Sequence, residues 1–215
     1  MTSWRAASFA VVDLEMTGLD PRTHEVLSVG VVPVDDGRII LGSSFYSTVR
    51  PLVAPNSQTV VIHGIRPIDA ATARPADEVA RELVEQLGER ILVAHVADIE
   101  RAFLTPWLRD AGYQPGLFVD TDVLARLVIS RRGGSLVETH VGLGDAAAHF
   151  GLPEHRRHHA LGDALTTAQL FLATASLLFP DRDASVAELL NASRLLVRER
   201  RRRWMQRNAK LIRRS

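Results

Sequence analysis

Asp13 and Glu15 stand inside the apolar run Val12-Asp13-Leu14-Glu15-Met16. On a strand, residues i and i+2 face the same side, so both carboxylates are aimed together from an element built for burial. Left unpaired in an apolar setting, each would carry a heavy desolvation cost. Hard divalent cations such as Mg²⁺ and Mn²⁺ relieve that cost, because they take carboxylate oxygens and water. A strand end where both acids reach solvent would relieve it too. A second group, His95 and Glu100, lies where an apolar run gives way to a helical pattern. Glu100 shares a helix face with Phe103 and Leu104 and leans toward the apolar side, with a boundary salt bridge as the plainer role. Asp98 suits the helix N-cap. The third group is the loop His155-Arg156-Arg157-His158-His159, which runs into a helix carrying Asp163. One of its histidines could act as a general base and Asp163 as a further metal ligand. The alternative is a solvated basic loop and a helix-start acid favoured by the dipole.

The elements that must position these groups alternate along the chain. Strands are expected over Phe9–Leu14, Val26–Val34 and Arg38–Val49, with Asp35-Asp36-Gly37 as a tight hairpin between the last two. Pro51–Pro75, with its four prolines, reads as loop. A helix over Ala76–Leu87, a strand over Ile91–Ala94, a helix over Asp98–Ala111 and a strand over Leu117–Val119 follow. Thr121–Ser130, Gly144–Phe150 and Ala160–Leu178 read as helices. The sum is an α/β fold with a mixed five-stranded sheet covered by helices, and with ligands expected at the carboxyl ends of its parallel strands. This domain is expected to occupy residues 1–180, and 181–215 to form a basic helical extension.

Composition narrows the chemistry further. The chain has 215 residues, 46% of them hydrophobic and 24% charged, which is ordinary for a globular domain. It contains no cysteine, which excludes disulfides, thiolate metal sites and thiol catalysis. The net charge of +1 conceals a split: Arg194–Ser215 holds ten basic residues against one acid, Glu199, so the body before it is acidic. No signal-peptide core forms after Met1, because Asp13 and Glu15 interrupt the first apolar run. No stretch is expected to supply the roughly 20 apolar residues of a membrane helix. A cytoplasmic protein with no membrane contact is the expectation.

In order and spacing, the three groups resemble the DEDDh family of 3′-to-5′ exonucleases, the family of replicative proofreading subunits. The resemblance covers about Ser8 to Phe179. Asp13, Glu15, Thr17 and Gly18 match the family's D-x-E-x-T-G; Ile62-His63-Gly64-Ile65 matches its iHGI segment. His95 to Leu104 aligns with H-N-A-x-F-D-x-x-F-L, and His158, Ala160, Leu161, Asp163 and Ala164 match H-x-A-L-x-D-A. Val119-Asp120-Thr121 looks like the family's structural "DT" strand end. Two positions depart: Val96 replaces the usual Asn, and Glu100 replaces the usual Asp.

The resemblance implies an RNase H-like fold in which Asp13, Glu15, Glu100 and Asp163 hold two Mg²⁺ or Mn²⁺ ions. His158, five residues before Asp163, is implied as the general base. Thr17, Gly18, Leu19, His63 and His95 are implied as substrate contacts, and a nucleic acid with a free 3′ end as the partner. The expected product is a nucleoside 5′-monophosphate. The tail could recruit substrate, or contact a polymerase or a second copy of the chain through Leu195, Leu196, Trp204 and Leu211. DNA and RNA ends are not separable in the sequence, and a silent binding module that kept the fold is the competing class.

Overall fold

The computed structural model describes residues 2–55, 57–133, 139–180 and 184–195. Strand β1 (Phe9–Met16) is buried along nearly its whole length because both of its faces are covered. Phe9 and Val11 enter one core, and Ala10, Val12 and Leu14 enter the other. β2 (Val26–Asp35) lies antiparallel to β1 with Asp13 opposite Gly30 and Glu15 opposite Ser28. A turn through Asp36 and Gly37, both at positive φ, leads into β3 (Arg38–Ile39). The pair of left-handed residues matches the twist of a two-residue hairpin. The expected third strand is broken: β3 ends in a short 3₁₀ turn, and β4 (Phe45–Thr48) then pairs with the other half of β2.

The segment expected to be loop contains two short helices, α1 (Ser57–His63) and α2 (Pro67–Ala71). Pro67 opens α2 rather than breaking it, since a first-turn proline loses no intrahelical bond. Asp69 accepts the Arg66 backbone N–H at 3.0 Å and closes that turn. Helix α3 (Ala76–Leu87) buries Val79, Leu83 and Leu87 as its spacing requires. It returns the chain to β5 (Ile91–Ala94), parallel to β1. α4 (Asp98–Arg109) then packs Phe103, Leu104 and Leu108 on the same face as α3. β6 (Phe118–Asp120) is parallel to β5 and gives the strand order β3-β2-β1-β5-β6.

The opposite face belongs to α5 (Thr121–Gly133), α6 (Leu143–His149) and α7 (Ala160–Leu178). By length and hydropathy α7 alone, among the described residues, is apolar enough to cross a bilayer. That revises the expectation that no such stretch exists. The reason for its hydropathy is burial: Ala164, Ala168, Phe171, Ala175 and Leu178 pack into the second core against the sheet. Residues 186–195 form a further helix, α8, the last among the described residues. It is part of the body, with Ala184 and Leu189 fully buried and the Ala184 carbonyl accepting the Trp4 N–H at 2.9 Å. The basic segment beyond it, 196–215, lies outside the described residues, as do 181–183.

Candidate active site

β1 delivers Asp13 and Glu15 on the face covered by α7. Glu15 is 8% exposed, and its cross-strand neighbour Ser28 is buried beside it. Helix α7 can approach this strand pair only because Gly30 has no side chain: a Cβ there would sit 2.3 Å from the carbonyl carbon of Ala160. Gly162 makes room in the same way for the preceding loop, where a Cβ would lie 2.3 Å from the Arg156 carbonyl oxygen. The result is a close start for α7, with Asp163 in its first turn. His158 adopts a left-handed backbone (φ 53°), and its N–H donates to Asp163 Oδ2 at 2.8 Å. One ligand atom each from Glu15, Asp163 and His158 falls within 4.8 Å of the others.

The neighbouring histidines part from this group. His159 stacks on Tyr46, with centroids 4.4 Å apart, and His155 donates its backbone N–H to Thr166. His158 alone of the three joins the carboxylates. Two glycines therefore matter to the site without touching it. Gly30 carried a sequence signal, since glycine inside a strand marks close approach of another backbone.

Glu100 comes from the other side, on the first turn of α4. It is 6% exposed, and its Oε2 has no hydrogen-bond partner. Asp98 is exposed and pairs with Arg101. The expected N-cap role for Asp98 fails because Ala97 is the N-cap and Asp98 already lies inside the helix. Burial is the main reason that every carboxyl here is less acidic than usual. Asp13 is pushed well up, with Glu100, Asp163 and Glu15 adding repulsion in that order. Glu15 is raised to about 7 and Glu100 to about 8. Asp163 is raised too, although the N–H of His158 opposes the shift. Buried carboxylates that repel one another, one oxygen of them unpartnered, are the donor set that fits hard divalent cations.

The residues expected at the substrate are disposed differently from one another. Thr17 closes its own loop: its N–H donates to the Glu25 carbonyl, and its hydroxyl accepts the Glu25 N–H, each at 2.9 Å. Gly18 lies against the His24 ring, and Leu19 projects into solvent at 73% exposure. His63 borders a cavity of about 190 Å³ together with Ser28, Tyr46, Arg156 and His158. Its Nδ1 accepts the Ile65 N–H, so the proton resides on Nε2, which is buried and unpartnered. His95 is a correction. Both its ring nitrogens are engaged inside the protein, with Thr121 Oγ1 at 3.0 Å and the Val141 carbonyl at 2.8 Å. That ring ties the end of β5 to the start of α5 and to the loop before α6, and has no nitrogen left for a nucleotide.

The RNase T exonuclease model matches residues 10–171, from the start of β1 to the middle of α7. This chain belongs to that exonuclease family. Its curated relatives include a PolC-type DNA polymerase III of Thermotoga petrophila, 32% identical over 80% of this chain and 12% of the relative. A DNA polymerase III subunit epsilon-like protein of Rhodobacter capsulatus is also 32% identical, over 77% of this chain and 23% of the relative. The chain thus spans less than a quarter of those relatives. Among solved structures, E. coli Exonuclease I with a dT13 oligonucleotide has a TM-score of 0.66 at 15% identity, over 77% of this chain and 40% of that one. Exonuclease X with 5′-overhanging duplex DNA has a TM-score of 0.57 at 22% identity, over 85% of this chain and 99% of that one. These share the exonuclease fold. The family's DEDD exonucleases act on nucleic acid from the 3′ end and use divalent metals.

Proposed function

We propose that this chain is a 3′-to-5′ exonuclease that removes nucleoside 5′-monophosphates one at a time from single-stranded ends, with DNA as the first substrate. The convergence of Glu15, Asp163 and His158 within 4.8 Å, beside half-buried Asp13 and buried Glu100, carries the reading. Asp13, Glu15, Glu100 and Asp163 would hold two Mg²⁺ or Mn²⁺ ions. When bound, the ions supply Lewis acidity and lower the pKa of water.

The chain's own residues do the rest. His158 sits exposed on a loop whose backbone is tied to Asp163, so its ring can accept the proton of the attacking water and hand it to solvent. Water adds to phosphorus, the bond to the penultimate 3′ oxygen breaks, that oxygen takes a proton from solvent, and a shortened strand and a 5′-monophosphate separate. Exposed Leu19 would part the terminal base from its neighbour. The cavity bordered by His63, Ser28 and Arg156 offers donors to the sugar and phosphate of one nucleotide.

The test uses 5′-labelled single-stranded DNA, duplex DNA and short RNA with Mg²⁺ or Mn²⁺. A ladder of shortened DNA products is expected, and His158→Ala should slow it roughly 10² to 10⁴-fold with little change in binding. Retardation without shortening would replace the enzyme by a binding module. Shortening of RNA alone would move the substrate class to RNA.

A further inference from the structure

Glu100 Oε2 is buried without a hydrogen-bond partner, and the hydrogen bond its carboxyl does accept comes from its own backbone N–H, so its aim follows the α4 backbone. With one methylene more than Asp, its aim depends on where α4 begins. That start has no cap of its own: Ala97 is the N-cap, and Val96 before it adopts a left-handed backbone (φ 62°). A β-branched residue takes that conformation only when its surroundings impose it. The imposing group is Asp120 at the end of β6. Its Oδ1 accepts the Val96 N–H at 3.2 Å, and its Oδ2 accepts the Ala97 N–H at 3.1 Å. Two successive N–H groups in a left-handed-then-helical turn form a cradle for an anion, and here a carboxylate of the same chain fills it. The same Oδ1 accepts the Asp122 N–H at 2.9 Å, which fixes the carboxylate to the start of α5.

Asp120 is itself held from outside the sheet. β6 is an edge strand, and the backbone N–H of Asp120 donates to Ser193 Oγ at 2.6 Å. Ser193 belongs to α8 and is 2% exposed. We propose that Asp120 and Ser193 are positioning residues for Glu100, so that α8 sets the aim of one carboxylate of the metal site through the backbone at Val96 and Ala97.

This rests on the metal reading above, and the experiment separates the two. Full-length wild type, Ser193→Ala, Ser193→Thr and Asp120→Asn are titrated with Mn²⁺ by calorimetry, and oligonucleotide KM, kcat and Tm are measured in parallel. Asp120→Asn puts an amide donor where Asp120 meets an N–H, and should weaken Mn²⁺ binding about tenfold, the lower end of losses for partners behind a metal ligand. Ser193→Ala should weaken it less, with oligonucleotide KM unchanged and kcat reduced at limiting Mn²⁺. Ser193→Thr keeps the hydroxyl and should restore wild-type affinity. Combined with Glu100→Asp, Ser193→Ala should be non-additive for Mn²⁺ affinity; combined with Asp163→Asn, it should be additive. A lower Tm with unchanged Mn²⁺ affinity in both Ser193→Ala and Asp120→Asn would reduce the pair to a structural contact. Wild type that binds no Mn²⁺ would instead overturn the metal reading itself. Should Asp120→Asn not fold, the Ser193 pair of variants decides alone.

Discussion

Helices α7 and α4 each bring a carboxylate to the same site, and their starts are held by opposite means. At α7 the backbone of Ala160 lies directly against Gly30, the preceding loop crosses over Gly162, and Asp163 binds the N–H of its own loop residue, His158. At α4 the cap is Ala97, which offers nothing, and the anchoring carboxylate comes from Asp120, more than twenty residues away. One start is held by shape and local hydrogen bonding, the other by a distant charge on a left-handed turn. A helix can therefore aim a ligand either by close packing or by a cap supplied from another element, and only the first leaves glycines to mark it.

Asp13 faces both halves, because Glu100 and Asp163 both raise its pKa. Asp13→Ala should cut turnover to below about 1% of wild type even in saturating Mn²⁺, since both halves lose their shared oxygen donor. The metal-free Tm at pH 8 should rise, as one of four mutually repelling carboxylates is gone. Activity above a few per cent would show that the halves work without a common ligand.

Gly30→Ala strikes the α7 half alone. Its Cβ meets backbone, which cannot swing aside, so a stability loss of about 1–3 kcal/mol is expected. Displacing Asp163 and His158 should lower kcat roughly 10² fold, the effect of a misplacement of about 1 Å. If kcat holds while Tm falls, close packing at Gly30 serves the fold and not the site.

The two halves share a pH signature. Glu15 and Glu100 have folded-state pKa values of about 7 and about 8, above the ordinary carboxyl range of unfolded chains. The folded state then binds more protons between roughly pH 4.3 and 8, so metal-free stability should fall as pH rises through that window. Mn²⁺ binds the deprotonated groups, and its stabilising shift in Tm should be larger at pH 8.5 than at pH 5.5. Equal shifts at the two pH values would mean that cation binding is not linked to these carboxylates.

The smallest effect sharpens the α4 half. Asn tolerates a left-handed backbone better than Val, so Val96→Asn should stabilise by about 1 kcal/mol. That raises Tm by roughly 2–4 °C in a chain of this size, measured in the metal-free protein. A lower Tm would mean that packing of the Val96 side chain outweighs its backbone conformation.

The sequence by itself determined the alternation of elements, the period-two pairing of Asp13 with Glu15, and the spacing of His158 and Asp163 on a loop and helix start. These are local patterns, set by side-chain periodicity over a few residues. It also put Glu100 on the buried face of α4, because Phe103 and Leu104 share that face. Local reading went astray where context reverses the meaning of a residue. Pro67 opened a helix where prolines suggested loop, and Asp98 looked like a cap but lies inside α4 with its charge turned to Arg101. His95 looked available, yet Thr121 and Val141 take both its nitrogens. Only the tertiary structure decided that Ser28 stands beside Glu15, that Gly30 receives α7, and that Asp120 and Ser193 lock the start of α4. Those relations join residues far apart in the chain, and they exist only once the sheet has set its register and the helices have closed over its two faces.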